Sequence, residues 1–312
     1  MNFIDMHCDT IYKLMDDSKF GLYKNKFSID IQKMKKTNYK AQFFALFIDA
    51  GETPNRLNRA MDMANRFHME IEKNRECISL ARNYKELKYN EERDKLSAFL
   101  TIEEGGALEG NIDNLKRFYD LGVRLITLTW NFKNEIGYPA YDRINSHKGL
   151  TPFGIEVIEQ MNNLGIIIDV SHLSDGGFYD VHKYSKSPFV ASHSNARAVQ
   201  NHQRNLTDEM IKVLSNKGGV TGINFCTEFL TEDSVSKIED MIKHIKHIKN
   251  IGGIDVIALG TDFDGIHSKV EIEDASQMDK LIYALEKEKF SLNEIEKICY
   301  KNIERVIKDT LK

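Results

Sequence analysis

FIDMHCDT, residues 3–10, is the stretch on which the reading of the chain turns. An apolar segment runs directly into a histidine and an aspartate two residues apart. Chain termini are usually frayed and chemically idle; this one reads as a buried strand that ends in two metal-ligand candidates. Side chains alternate faces along a strand, so His7 and Asp9 share a direction and Cys8 takes the other.

Seven more runs of the same character follow: AQFFALFID (41–49), LSAFLTIEE (96–104), VRLITLTW (123–130), IIIDVSH (166–172), PFVASH (188–193), GVTGINF (219–225) and VIALGTDFD (256–264). Most are nearly continuous in hydrophobicity rather than alternating, the mark of parallel strands covered on both faces. Helical patterns fill the gaps. Residues 55–74 place Leu57, Met61, Ala64, Phe67 and Ile71 on one face. Residues 111–122 end at Gly122, a natural stop. Residues 151–165 begin with a Thr151 cap followed by Pro152 and end at Gly165. Residues 206–219 start at a Thr207 cap, and later helices are predicted over 234–251, 276–289 and 291–310.

Eight strands alternating with helices indicate a (β/α)8 TIM-type barrel, read as one domain over residues 1–312. The competing arrangement, an open doubly wound sheet with a helical appendage, lacks its glycine-rich phosphate loop after the first strand. No internal repeat or low-complexity segment interrupts the pattern.

In such a barrel the chemistry sits at the C-terminal ends of the strands. The first run ends in His7 and Asp9, the third in Glu103-Glu104-Gly105-Gly106, the fifth in Ser171-His172, the sixth in Ser192-His193-Ser194 and the eighth in Asp262-Phe263-Asp264. Any one of these is weak evidence; their registration at one rim gives the signal its weight. His7 and Asp9 form one half of a predicted binuclear metal site, His172 and His193 on adjacent strands form the other, and Glu104 bridges. Histidines and carboxylates in this mixture suit paired divalent ions, zinc first. The other histidines lack this placement, although His147 and His202 lie in loops that can approach the rim.

Net charge is −4, which gives no electrostatic footprint for nucleic acid or an anionic membrane surface. Four scattered cysteines contain no CxxC pair, so neither a zinc ribbon nor a disulfide framework is indicated, and a reducing cytoplasm fits. No run of about 18 apolar residues is present to span a bilayer, and no signal peptide pattern opens the chain.

The ordered set DMHCDT, EEGG, GVRLITLTWN, DVSH, SHSNAR, the pair Arg204-Asn205, GTDFDG and the late KNIERV resembles the membrane dipeptidase (renal dipeptidase) family of zinc peptidases, within the metal-dependent hydrolases. The likeness covers nearly the whole chain. It implies two zinc ions per chain, one on His7 and Asp9, the other on His172 and His193, with Glu104 between them. It implies a dipeptide substrate whose terminal carboxylate is held by Arg204. A metal-bridging hydroxide would attack the peptide carbonyl, and Asp262 would take the water's proton and pass it to the leaving amine. The resemblance also suggests a homodimer. One position departs: where vertebrate members carry a histidine after LTLT, this chain has Trp130, followed by Asn131. Indole donates one hydrogen bond and carries no charge, so Trp130 is expected to line the substrate pocket, with Asn131 beside it on the substrate as the alternative donor in place of the family histidine. The rival readings are a different amide or lactone hydrolase on the same barrel, and a barrel that binds metal without turnover.

Overall fold

The computed structural model describes residues 1–312, and all eight apolar runs become strands. They are β1 (Phe3–Asp5), β2 (Tyr39–Phe47), β3 (Leu96–Glu103), β4 (Val123–Thr127), β5 (Ile167–Asp169), β6 (Val190–Ala191), β7 (Val220–Ile223) and β8 (Ile257–Leu259). Every neighbouring pair is parallel, and β1 joins β2 on one side and β8 on the other, so the sheet closes into a TIM-type barrel.

The strands are shorter than the apolar runs at their C-terminal ends. The residues beyond each ladder turn out of strand geometry into the rim, and several adopt left-handed backbone: Glu104 at φ +95°, His172 at +66°, Asp262 at +64° and Asp264 at +70°. Non-glycine residues hold such conformations only where the surroundings over-determine them, which is common at functional sites.

The intervening helices form where the capping chemistry allows. Thr151 accepts from Gly154 N, Pro152 opens the helix Pro152–Leu164, and Gly165 ends it at φ +73°. Thr207 accepts from Met210 N at the start of Asp208–Asn216. Short helices that the sequence pattern left unassigned cover Thr10–Asp16, Ile31–Lys36, Tyr84–Glu91 and Asp175–Tyr184. A short extra strand, Ile78–Leu80, pairs with the beginning of β3, ahead of the point where β4 takes over that edge. Three residues are too few to produce a readable period. The predicted helix 291–310 is instead α-helix at Leu292–Glu296, a π-helical turn at Lys297–Lys301, and α-helix again at Asn302–Thr310.

Two apolar clusters stabilise the molecule. The larger, of 67 buried residues, lies between the strands and the helices. The smaller, of 16, fills the barrel interior, where Phe43 and Phe99 stack at 4.6 Å between ring centroids. Ile303, Val306, Ile307 and Leu311 belong to the interior cluster, so the last helix stoppers the end of the barrel opposite the polar rim. No helix is long and apolar enough to cross a membrane.

Candidate metal centre

Five buried side chains meet at the C-terminal rim. Asp5 fastens the end of β1 to the segment after β8: its Oδ1 accepts from Thr261 N at 2.9 Å and its Oδ2 from Thr261 Oγ1 at 2.8 Å. Cys8 then turns into the outer core and donates its Sγ–H to Phe43 O at 3.4 Å. His7 and Asp9 face the barrel axis. Asp9 stands at the N-cap of Thr10–Asp16 but makes no capping bond, and its Oδ1 is buried without a partner.

Glu103, the last residue of β3, lies at the centre. Its Oε1 is 3.0 Å from His172 Nε2 and 3.4 Å from His193 Nε2, while its Oε2 is 3.2 Å from His7 Nε2. His7 Nε2 is also 3.5 Å from Asp9 Oδ2 and 3.8 Å from Asp262 Oδ1. The His7 and His193 rings stack at 4.0 Å. Two ligand sets overlap here, His7–Glu103–His193 and His7–Asp9–Asp262, with all donor atoms of each within 4.8 Å of one another.

Hydrogen bonding behind the rings dictates which nitrogens carry protons. His172 Nδ1 is 2.9 Å from Asn131 Oδ1, a pure acceptor, so Nδ1 holds the proton and Nε2 the lone pair. Ser192 Oγ donates to Asp169 Oδ2 at 2.5 Å and must therefore accept from His193 Nδ1, 2.7 Å away. His193 Nε2 is then also a bare lone pair. The two Nε2 atoms face each other at 3.0 Å beside a carboxylate oxygen. Lone pairs so close repel unless a cation sits among them. The orphaned Asp9 Oδ1 and His7 Nε2 next to them add to the same requirement. The donors thus fit divalent ions of borderline hardness, bound by imidazole and carboxylate.

The electrostatics treat the three rings differently. Burial, helped by the Arg204 charge, lowers His172 to about 3, and burial holds His193 well below its ordinary value, so both rings are neutral. Burial also acts to lower His7, but the Glu103 and Asp9 carboxylates outweigh it and raise the ring well above its usual range. Burial raises Asp262 to about 7 and, together with the Glu103 charge, Asp9 to about 6. Glu103 is held well below the usual carboxylate range: burial would raise it, and the three histidines prevail.

Glu104 does not bridge, contrary to the expectation from the glycine pair that follows it. Its backbone leaves the strand, and its carboxylate is turned to Gly106 N at 2.7 Å, Trp130 N at 2.9 Å and Asn134 Nδ2 at 2.5 Å. The spanning position belongs to Glu103. Interior-facing Phe99 fixes the alternation of β3, with Thr101 and Glu103 on its face and Leu100 and Ile102 on the other.

Trp130 lines the cleft, its ring edge-on to Phe47 at 4.9 Å. Asn131 lines it as well, with its oxygen committed to His172. Arg204 is only 3% exposed. It donates to Ser194 Oγ at 3.3 Å and His193 O at 3.2 Å, packs against the Phe229 ring, and leaves its Nε buried without a partner. Asp262 Oδ2 is held by Asn224 Nδ2 at 3.0 Å. His202 packs beside Tyr141 and Phe229 and accepts from Arg204 N at its Nδ1, while His147 joins none of these groups.

Two supporting residues went unnoticed in the sequence, Asp169 and Asn224. Asp169 gathers four donors, Ser171 N, Ser192 N, Thr127 Oγ1 and Ser192 Oγ. A charged residue inside the otherwise apolar IIID was the available signal, since a carboxylate is buried in a strand only when fully bonded. Above the cluster opens a cleft of about 470 Å³, walled by Asp9, Glu103, His172 and Asp262 together with Tyr12, Phe47, Trp130, Tyr141 and Phe229.

A family model described as membrane dipeptidase, peptidase family M19, matches residues 1–312. An uncharacterized Klebsiella pneumoniae protein is 36% identical over 69% of this chain and 83% of its own length. A protein of Schizosaccharomyces pombe (strain 972), named an uncharacterized dipeptidase, is 31% identical over 98% of this chain and 80% of its own. Among solved structures, a metallo peptidase of family M19 called dipeptidase AC superposes with a TM-score of 0.92 at 24% identity, covering 100% of this chain and 99% of the other. A Rhodobacter sphaeroides metallo peptidase, liganded with a phosphinate mimic of the dipeptide L-Ala-D-Ala, superposes at 0.91 with 24% identity and 99% coverage of both.

Proposed function

The chain belongs to the membrane dipeptidase family, peptidase family M19, and from that membership we propose that it is a zinc enzyme cleaving dipeptides that carry a free C-terminal carboxylate. The observation that carries the reading is the pair of bare Nε2 lone pairs of His172 and His193, 3.0 Å apart beside Glu103. His7 and Asp9 would hold one ion, His172 and His193 the other, and Glu103 would hold both. Bound zinc would supply Lewis acidity and lower the pKa of a coordinated water toward neutrality.

The chain's own groups account for the rest. Asp262, steadied by Asn224 and 3.8 Å from His7 Nε2, would take a proton from water and return it to the leaving amine. The tautomers set by Asn131 and by the Ser192–Asp169 pair would leave the Nε2 lone pair of each imidazole free for an ion. Arg204 would take the substrate carboxylate by exchanging its 3.2–3.3 Å bonds to His193 O and Ser194 Oγ, and its unpartnered Nε supports that reading. The aromatic walls at Phe47, Trp130, Tyr141 and Phe229 would exclude water from the bond being cleaved. The dipeptide mimic bound by the Rhodobacter sphaeroides metallo peptidase supports including D-residues at the second position among the substrates. Four unpaired cysteines support a reducing compartment such as the cytoplasm.

The test is hydrolysis of a panel holding L-Ala-L-Ala, L-Ala-D-Ala, an N-acetyl dipeptide and a dipeptide amide, before and after chelation and zinc repletion, with zinc per chain counted alongside. Cleavage of the free dipeptides alone, sensitive to chelation, with zinc near two per chain, is the expected result. Two zinc ions without cleavage of any dipeptide would refute the substrate and direct attention to lactones and other amides, with Trp130 as the altered position.

A further inference from the structure

Glu104 is a glutamate at a backbone position suited to glycine. Its φ of +95° disfavours any L side chain, yet its carboxylate is fully buried and both oxygens are in use. Oε1 accepts from Gly106 N and Asn134 Nδ2, and Oε2 accepts from Trp130 N. Asn134 also donates to Leu128 O at 2.9 Å, and its Oδ1 accepts from Ile136 N at 2.8 Å and Gly137 N at 3.1 Å. One carboxylate therefore ties down the turn 128–137 at Trp130 and again through Asn134. Between those two points the turn presents Asn131, whose Oδ1 faces His172 Nδ1.

We propose that Glu104 is a positioning residue that acts on His172 without touching it: by anchoring the turn it holds Asn131 where the amide oxygen sets the tautomer and direction of the imidazole. The inference rests on His172 being a zinc ligand. It also explains why a neutral amide is a poor replacement. In one orientation a glutamine NH2 faces the Trp130 N–H; in the other it faces the Gly106 N–H and the Asn134 amide. Asn134 cannot turn over to help, because its own oxygen already accepts two backbone N–H groups. Only a carboxylate satisfies all three donors.

Trp130 is the one tryptophan in the chain, so its emission reports directly on the turn. The experiment uses the full-length protein and three variants, Glu104→Gln, Asn131→Ala and Asn131→Asp. Three quantities are read: Trp130 emission with acrylamide quenching, zinc affinity by competition with a chromogenic chelator, and kcat and KM on a dipeptide. Glu104→Gln is expected to shift emission to the red, increase quenching, weaken the looser zinc about 10–100-fold and lower kcat more than it changes KM. Asn131→Ala is expected to weaken zinc to a similar extent, and Asn131→Asp to restore it, since a carboxylate still accepts from Nδ1. Wild-type zinc affinity and kcat in folded Glu104→Gln would overturn the proposal, as would wild-type affinity in Asn131→Ala. Should Glu104→Gln fail to fold, the Asn131 pair decides. If the unmodified protein binds no zinc, the metal reading itself is lost, and the emission arm alone then decides whether Glu104 holds the turn.

Discussion

Replacing Asp169 by asparagine is expected to relocate a single proton on His193 and loosen the metal centre while leaving the barrel folded. Oδ1 of Asp169 accepts two backbone donors, Ser171 N at 3.0 Å and Ser192 N at 2.8 Å. Neither can rotate, so the new amide must keep its oxygen there. Its NH2 then falls at Oδ2, opposite the hydroxyls of Thr127 and Ser192, which can rotate to accept. Ser192 Oγ, now accepting from the amide, is free to donate to His193 Nδ1. The imidazole would carry its proton on Nε2, and the lone pair facing Glu103 would be gone. Loss of such a supporting bond typically weakens metal binding 10–100-fold, about 1.4–2.8 kcal/mol. Converting charge-assisted bonds to neutral ones costs about 2 kcal/mol of stability, or roughly 3 °C in Tm for a chain of 312 residues. Chelator competition measures the zinc affinity, and the ring 15N shifts of His193 in the zinc-free protein report the tautomer. Asp169→Asn with wild-type zinc affinity, or with His193 still protonated on Nδ1, would refute the reasoning.

Three further outcomes can be checked. His172→Ala is expected to lower zinc content toward one ion per chain and abolish dipeptide hydrolysis, as read by metal analysis and a product assay; full zinc content with activity would remove His172 from the centre. Arg204→Met is expected to raise KM for dipeptides far more than it lowers Tm, and an unchanged KM would end the carboxylate-clamp role. His244 gives a pH dependence away from the rim. Its Nδ1 accepts from Ala196 N at 3.1 Å, its Nε2 is 3.0 Å from Leu230 O, and burial lowers it from 6.5 to about 4. The folded state therefore binds fewer protons than the unfolded one. Its contribution is complete above pH 6.5 and declines toward pH 4, by up to about 3 kcal/mol. Urea unfolding between those pH values should show a shallower slope in His244→Gln than in the unmodified protein.

The barrel was readable because parallel strands covered on both faces leave long apolar runs, and eight of them recur with helix-length gaps. The rim was readable because its side chains are too polar for the ends of such runs unless they have work there. Glu103 and Glu104 show where that reading reaches its limit. Both end the same run, and the glycine pair draws attention to the second. Yet Ser97, Thr101 and Glu103 share one parity in LSAFLTIEE, and that parity marks the interior face. Glu104's departure into left-handed backbone depends on donors at Trp130 and Asn134, some thirty residues away, so no local pattern announces it. Asn131 likewise reads as a pocket residue from its place in TWN, and only the fold brings its oxygen to His172. The strand Ile78–Leu80 and the helices Thr10–Asp16, Ile31–Lys36 and Tyr84–Glu91 were missed for a simpler reason, being too brief to show a period.

The helix that stoppers the barrel bears on how the molecule is made. Asp5 pairs with Leu259, and the apolar plug that seals the interior (Ile303, Val306, Ile307 and Leu311) lies beyond even the eighth strand. At roughly 5–20 residues per second of translation, tens of seconds pass between the emergence of the first strand and that of its last partners. Through that interval Ile4, Met6, Phe43 and Phe99 have no interior to enter. Until residues 303–311 are made, the interior apolar side chains are expected to stay exposed, and a chain truncated ahead of residue 303 is expected to lack the floor of its barrel.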